Sequence, residues 1–325
     1  MEAEIIEYKD WDNTYIILDD GIIEKFSDPY IYGSKQQKIM KNIASILVSF
    51  LSSAINDLSA DNTAIIRILE GGKYYYIYEA FKEIIGAPLL GEIDIKSRFK
   101  YDPKDVPTVI VKDLEFSDKA NKRKYFIIID TIASGSTMET FLKRLLSTYT
   151  HEYMLIVGGI ATYYGLERVR RLLDNYRKKY MLIAYGGLLG LGENRTDMTL
   201  GHKPNYIPPK LFDKAVEMLG LEITSKLCVI GDFTYSNVYV DRYLAERIIQ
   251  IWEIGANSNL DETKEKARRL VLEGLDRLLN IVSLNEIESL LAEEYRRRLL
   301  LVGKDVDIKK LSIDYVVSLE PIKVF

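Results

Sequence analysis

The chain has 325 residues, 47% hydrophobic and 28% charged, with a formal net charge of −4. That composition supports one large domain or two ordinary ones, and the balance of signs excludes a general nucleic-acid or membrane-attracting surface. A single cysteine, Cys228, excludes an intrachain disulfide and a cysteine-rich metal site, and two histidines, His151 and His202, are too few for a histidine zinc site.

The opening MEAEIIEYKD is acidic rather than basic-then-apolar, so no secretory leader is expected, and no apolar run approaches a membrane span; the expected location is the cytoplasm. Residues 1–33 read as a small N-terminal β-hairpin unit, with Asp20-Gly21 as the turn between the apolar runs of Tyr15 to Phe26. Ser34 and Gln37 form a capping box ahead of a helix that carries Ile39, Met40, Ile43, Ala44, Leu47 and Leu51 at helical spacing. Strands and helices then alternate. Ala64 to Leu69 is an apolar strand, Tyr74 to Ile85 a helix, and Pro88 to Ile95 and Thr108 to Phe116 are strands. Tyr125 to Ile129 is another strand with a helix after it, followed by the strand Met154 to Thr162, a helix over Leu166 to Tyr180 and the strand Met181 to Gly187. This order predicts an α/β fold with a doubly wound, mostly parallel sheet covered on both faces, and ligands at the carboxyl ends of its strands. Residues 188–213, rich in Gly, Pro and Asn, read as a long loop, followed by a short helix and the strand KLCVIGDF; Cys228 inside that apolar run reads as inert core. From Val240 the pattern turns helical, with Asn259/Glu262 and Ser283/Glu286 as N-terminal capping boxes. The expected division is 1–33, a core over 34–244, and a helical C-terminal extension over 245–325.

The most informative stretch is YFIIIDTIASGST, Tyr125 to Thr137. A buried strand delivers one carboxylate, Asp130, and then turns through Ala133, Ser134, Gly135, Ser136 and Thr137 into a helix. Small residues let phosphate oxygens reach the backbone amides, the helix dipole favours negative charge there, and the hydroxyls add donors. Asp130 repels phosphate, so its fitting role is to accept hydrogen bonds from hydroxyls of the same ligand. An acid for hydroxyls beside donors for a phosphate suits a sugar phosphate. A strand–Asp–turn–helix unit also occurs in other doubly wound proteins; the SGST loop is what narrows it. No GxxxxGK[ST] or GxGxxG follows any strand, which disfavours a P-loop or dinucleotide site.

This segment resembles the phosphoribosyl-diphosphate (PRPP) motif of type I phosphoribosyltransferases, with further likeness to the uracil enzymes elsewhere. The resemblance implies that Asp130 grips the ribose 2′- and 3′-hydroxyls and that Ala133 to Thr137 hold the 5′-phosphate. The family usually has two acids; here Ile129 stands at the first position. LEGGK, Leu69 to Lys73, resembles the diphosphate loop, assigning Gly71, Gly72 and Lys73 to the diphosphate, with Glu70 where the family has arginine. GEIDIKSRFK, Gly91 to Lys100, resembles the strand that supplies a basic residue, with Lys96, Arg98 and Lys100 as candidates and Arg98 preferred as a catalytic arm cation. GIATYYGLERVRRLL, Gly159 to Leu173, resembles an architectural segment in which Gly165 opens a helix. For the hood over the base, NYIPPKLFD competes with VIGDFTYSN, and Gly231, Asp232 and Phe233 are preferred. Ala133, where purine enzymes carry an acid, sides with a pyrimidine.

The resemblance implies an enzyme that transfers the phosphoribosyl group of PRPP to a nucleobase such as uracil and releases diphosphate. It would work by positioning and charge stabilisation, with Mg²⁺ carried by bound PRPP rather than by a protein metal site. A homodimer, and partners limited to PRPP and a nucleobase or nucleoside monophosphate, are expected with it. The alternative is a catalytically silent PRPP- or nucleotide-binding regulatory protein on the same fold, favoured by Ile129 and Glu70.

Overall fold

The computed structural model describes residues 3–69, 71–98, 108–112, 122–149, 152–192, 195–201, 206–230, 240–301 and 308–319. In chain order the elements are β1 (Glu4–Glu7), β2 (Thr14–Leu18), α1 (Asp20–Ser27), α2 (Gly33–Ala54), β3 (Thr63–Leu69), α3 (Ile77–Ile84), β4 (Leu89–Arg98), β5 (Thr108–Lys112), β6 (Tyr125–Ile129), α4 (Ser136–Thr148), β7 (Met154–Thr162), α5 (Tyr163–Asn175) and β8 (Lys179–Leu191). They continue with β9 (Met198–Thr199), α6 (Pro209–Leu219), α7 (Leu221–Lys226), β10 (Cys228–Ile230), α8 (Val240–Ala256), α9 (Asp261–Leu279), α10 (Leu284–Leu301) and α11 (Ile313–Ser318). Two compact units result, one of Met1–Ile23, Gln37–Leu191 and Lys203–Pro208, the other of Glu24–Gln36, Gly192–His202 and Pro209–Phe325.

The first unit is the expected α/β body. Its strands lie in the order β1-β2-β8-β7-β6-β3-β4-β5. Neighbours from β2 to β4 are parallel, and antiparallel β1 and β5 close the two edges. Strand residues alternate between faces. One set, Ala64, Ile66, Phe126, Ile128, Leu155, Val157, Leu182 and Ala184, packs with Met138, Phe141, Leu142 and Leu145 of α4 and Leu166, Val169 and Leu173 of α5. The intervening set, Ile65, Ile127, Ile129, Ile156 and Ile183, is buried as well. A sheet covered on both faces explains why the strands read as continuous apolar runs. The connection from β3 leads outward to β4 and that from β6 leads outward to β7, so the chain diverges between β3 and β6. That divergence opens a crevice at the carboxyl ends of those two strands, where open α/β sheets take their ligands.

The second unit is mainly helical. Tyr243, Leu244, Ile248, Ile249 and Trp252 of α8 pack with Ala267, Leu270, Val271, Leu275 and Leu278 of α9 and Ile287, Leu291 and Tyr295 of α10. The Tyr30 hydroxyl donates to the Leu270 carbonyl at 2.6 Å, and Gly274 leaves the room that the Tyr30 ring end occupies. β9 and β10 form an antiparallel pair. Cys228 is buried, and burial pushes its thiol up to about 12, which suits an inert packing residue.

Several local expectations change. Asp20-Gly21 starts α1 instead of turning a hairpin, because the Asp19 carboxylate accepts from the Ile22 amide at 2.8 Å and caps the helix; the hairpin lies one step earlier, between β1 and β2, with Asn13 at φ 55°. The helix expected over Tyr74 to Ile85 is split: a 3₁₀ turn covers Gly71–Tyr75, and Tyr76, left-handed at φ 54°, precedes α3. The loop expected over 188–213 is partly ordered structure, since β8 runs on to Leu191 and α6 begins at Pro209. Ser283 and Glu286 do cap α10, with the Ser283 amide and hydroxyl both donating to Glu286 Oε2. Leu260, not Asn259, is the residue before α9. Residue 244 lies inside the continuous helix α8.

Candidate functional site

Strand β6 ends at Ile129, but its neighbour β7 continues to hold the chain. The Asp130 amide donates to the Gly158 carbonyl at 2.9 Å, Ile132 donates to Ile160 at 2.9 Å, and Thr162 donates back to Ile132 at 3.0 Å. This extended pairing fixes the direction of Asp130 before the chain turns away. Glycine at 159, φ 132°, is required because a methyl there would run into the Asp130 carbonyl.

Asp130 is 7% exposed. Burial lifts its carboxyl to about 7, and a hydrogen bond from the Thr131 backbone pulls it part of the way back. Beside it lies the start of the turn after β3: a methyl on Gly71 would sit 2.5 Å from Asp130 Oδ1, and one on Gly72 would sit 3.3 Å from the Ile129 carbonyl oxygen. Gly71, Gly72 and Asp130 therefore meet at the crevice between β3 and β6, although 59 positions separate Gly71 from Asp130 in the chain (130 − 71). Tyr75, fully buried, ties the same turn to both neighbouring segments. Its hydroxyl pairs with Thr131 Oγ1 at 2.8 Å and accepts from the Ile160 amide at 3.2 Å.

The loop from Ala133 to Thr137 is held from the α5 side. Thr162 caps α5 by accepting from the Gly165 amide at 2.9 Å, and its hydroxyl donates to the Ala133 carbonyl at 2.5 Å. Gly135, left-handed at φ 73°, precedes α4, and a methyl on it would stand 2.6 Å from the Gly165 carbonyl oxygen. Ser136 is the first residue of α4 and 4% exposed. Its hydroxyl accepts from Arg168 Nη1 at 2.8 Å and from the Ser134 hydroxyl at 3.2 Å. Arg168 is also paired with Glu139. Burial pushes the Glu139 carboxyl up, but Lys143 and Arg168 together hold it below the ordinary carboxylate range.

No protein-family model matches the chain, and no curated protein matches it in sequence. Among solved structures it is similar to a hypoxanthine phosphoribosyltransferase from Staphylococcus aureus, at 18% identity over 46% of this chain and 74% of that one, with a TM-score of 0.31. It is similar to a purine phosphoribosyltransferase from Pyrococcus horikoshii Ot3, at 16% identity over 48% and 93% of the two chains, TM-score 0.29. A flavoprotein in complex with FMN from Lactobacillus acidophilus is similar at 17% identity over 39% and 93%, TM-score 0.27. The two transferases are named for hypoxanthine and purine, not uracil. These likenesses are of strand and helix arrangement over less than half of the chain.

Asp130, Gly71, Gly72 and the 133–137 loop thus occupy the carboxyl ends of the neighbouring strands β6 and β3. Lys73 lies in the same turn as the two glycines, with its Nζ 5.0 Å from the Tyr74 ring centroid. Arg98 ends β4 opposite Thr108 of β5; the side chains of Lys96 and Arg98, and all of Lys100, lie outside the described residues. Glu70 and the expected base-binding residues Gly231, Asp232 and Phe233 lie outside them too. Ile129, 3% exposed, fills an apolar position of the sheet where a first acid would have stood. Sequence reasoning missed Tyr75, Thr162 and Arg168. Thr162 carries a legible sign, a threonine placed to cap the helix that contains Gly165. Arg168 sits in the run ERVRR, which reads as a solvated helix face, and only the fold turns it toward α4.

Proposed function

We propose that this chain binds PRPP at the carboxyl ends of β3 and β6 and transfers its phosphoribosyl group to a nucleobase. The observation that carries the reading is the meeting of Asp130 with Gly71 beside a glycine-turned, hydroxyl-rich entry to α4. In this reading the 5′-phosphate takes the amides and hydroxyls of Ser134 to Thr137. The ribose hydroxyls donate to Asp130, and the diphosphate lies over Gly71 and Gly72 with Lys73 and the arm cation Arg98 nearby. The nitrogen of the base attacks C1 as the C1–O bond to diphosphate breaks, with inversion. The protein positions the partners and balances charge; no covalent intermediate is required. Ala133 supports a pyrimidine over a purine substrate.

Mg²⁺ bound chiefly by diphosphate oxygens and waters asks for few protein ligands, so in this reading it would arrive with PRPP. When bound it would neutralise the departing diphosphate, and Asp130 would keep the ribose hydroxyls in place.

A second reading is favoured by Ile129, buried where the family carries its first acid: PRPP or a nucleoside monophosphate binds without turnover. Release of diphosphate from PRPP in the presence of uracil, cytosine, orotate or purines separates the two. Turnover with one base is the expected result; saturable PRPP binding with no turnover would leave only the binding protein. Calorimetry with Asp130→Ala checks the shared premise, with an expected loss of at least about tenfold in PRPP affinity for removing a buried acceptor of ligand hydroxyls. Unchanged affinity would rule out the ribose contact in both readings.

A further inference from the structure

The function of Arg168 follows from the hydroxyl it touches. Ser136 Oγ accepts from Arg168 Nη1 at 2.8 Å and from Ser134 Oγ at 3.2 Å. A hydroxyl has two acceptor sites and one proton. With both acceptor sites taken, the Ser136 proton is the part of that hydroxyl left to donate, and no acceptor for it is found among the described residues. Ser136 is 96% buried (100 − 4), where a donor without an acceptor is costly. The arrangement asks for an acceptor at the entry to α4, and an anion is the acceptor that a helix N-terminus favours.

We propose that Arg168 is a positioning residue of the phosphate seat, orienting the Ser136 hydroxyl as a donor to a phosphate monoester. The inference rests on the phosphoribosyl reading and adds to it a residue outside the PRPP-motif loop. Arg168 is fitted to this role by its planar fork. One side pairs with Glu139, through Nε and Nη2. The remaining corner, Nη1, meets Ser136 Oγ and lies 3.5 Å from the Ser134 carbonyl oxygen. Lysine offers a single point of charge and cannot serve Glu139 and Ser136 in the same geometry. Glu139 offsets the charge of Arg168, so the guanidinium acts here by direction more than by attraction.

The test is a double-mutant cycle on ribose 5-phosphate affinity, measured by calorimetry with ribose as the control for the phosphate. Ser136→Ala and Arg168→Gln are each expected to weaken binding about tenfold, the scale of one charge-supported hydrogen bond, and the double variant to be no weaker than either single. Arg168→Lys is expected to behave like Arg168→Gln. Urea unfolding of each variant establishes that it is folded. Additive losses, or full recovery with lysine, would overturn the role acting through Ser136 while leaving the phosphoribosyl reading intact. Failure of the unaltered protein to bind ribose 5-phosphate would overturn that reading and this inference together.

Discussion

Asp130 has to be both buried and useful. A carboxyl near 7 in the folded chain and 3.8 in its ordinary state takes up a proton on folding between those values. The folded state then binds more protons than the unfolded one, so stability falls as pH rises from about 4 to about 7 and levels off above. The full difference is on the order of a few kcal/mol. Asp130→Asn, which cannot ionise, is expected to gain on the unaltered protein over that window, seen as a urea midpoint difference larger at pH 8 than at pH 5. Ligand hydroxyls that donate to the carboxylate favour its ionised form, so PRPP affinity is expected to rise with pH through about 7 and to lose that rise in Asp130→Asn. Gly71→Ala probes the same group from the other side. Its methyl would stand 2.5 Å from Asp130 Oδ1, the far end of a side chain that can swing away. The expected result is a stability change within about 1 kcal/mol and a large loss of PRPP affinity, because the carboxylate is displaced without the sheet being disturbed.

Two elements, the turn into α4 and the turn into α5, are locked by backbone contacts. Gly135 and Gly220 both have positive φ, at 73° and 82°, yet their surroundings differ. A methyl on Gly220 meets only Lys266 Cδ at 3.6 Å, whereas one on Gly135 meets the Gly165 carbonyl oxygen at 2.6 Å and Gly165 Cα at 3.1 Å. Gly220→Ala is therefore expected to cost about 1–3 kcal/mol, the strain of an alanine held at φ 82°, ψ 156° with no clash around it. Gly135→Ala should cost more than about 3 kcal/mol and abolish ribose 5-phosphate binding, since backbone must move. Equal midpoint shifts in denaturant for the two variants would contradict this account. The turn into α4 was legible in the sequence because its chemistry is local: one acid, small residues, hydroxyls. Gly165 was legible only as the opening of a helix; the need for glycine there and at 159 arises from the Ala133 and Asp130 carbonyls of another segment. Asp20-Gly21 misled for a related reason. The dipeptide suits a hairpin, but Asp19 ahead of it captures the Ile22 amide and starts a helix.

At the scale of the whole chain, alternation of apolar strands with helices was enough to give a mostly parallel sheet, because strands buried on both faces lose the two-residue period and become continuous runs. Strand order was not legible from that pattern, and strand order is what brings Gly71 to Asp130. In the helical unit the charges are equally hidden from sequence. Lys25 is buried, its Nζ donating to the Ile31 carbonyl at 3.2 Å, and burial, then Arg247, lower its pKa to about 7. Such a lysine stays neutral in the folded chain while the unfolded chain is protonated, so stability rises with pH between about 7 and 10.5. Lys25→Met is expected to flatten that rise in denaturant midpoints; a rise that persists would exclude Lys25 as its source. The β6–β7 pairing has a consequence for the order in which the protein becomes competent. A chain that has emerged only as far as Thr148 already contains Asp130 and SGST, yet lacks the Gly158 and Ile160 carbonyls and the Thr162 hydroxyl that hold them. The motif is thus present before its seat is. A fragment ending before β7 carries the signature of the site and the β3–β6 pairing, but neither the strand nor the helix that holds the turn after Asp130.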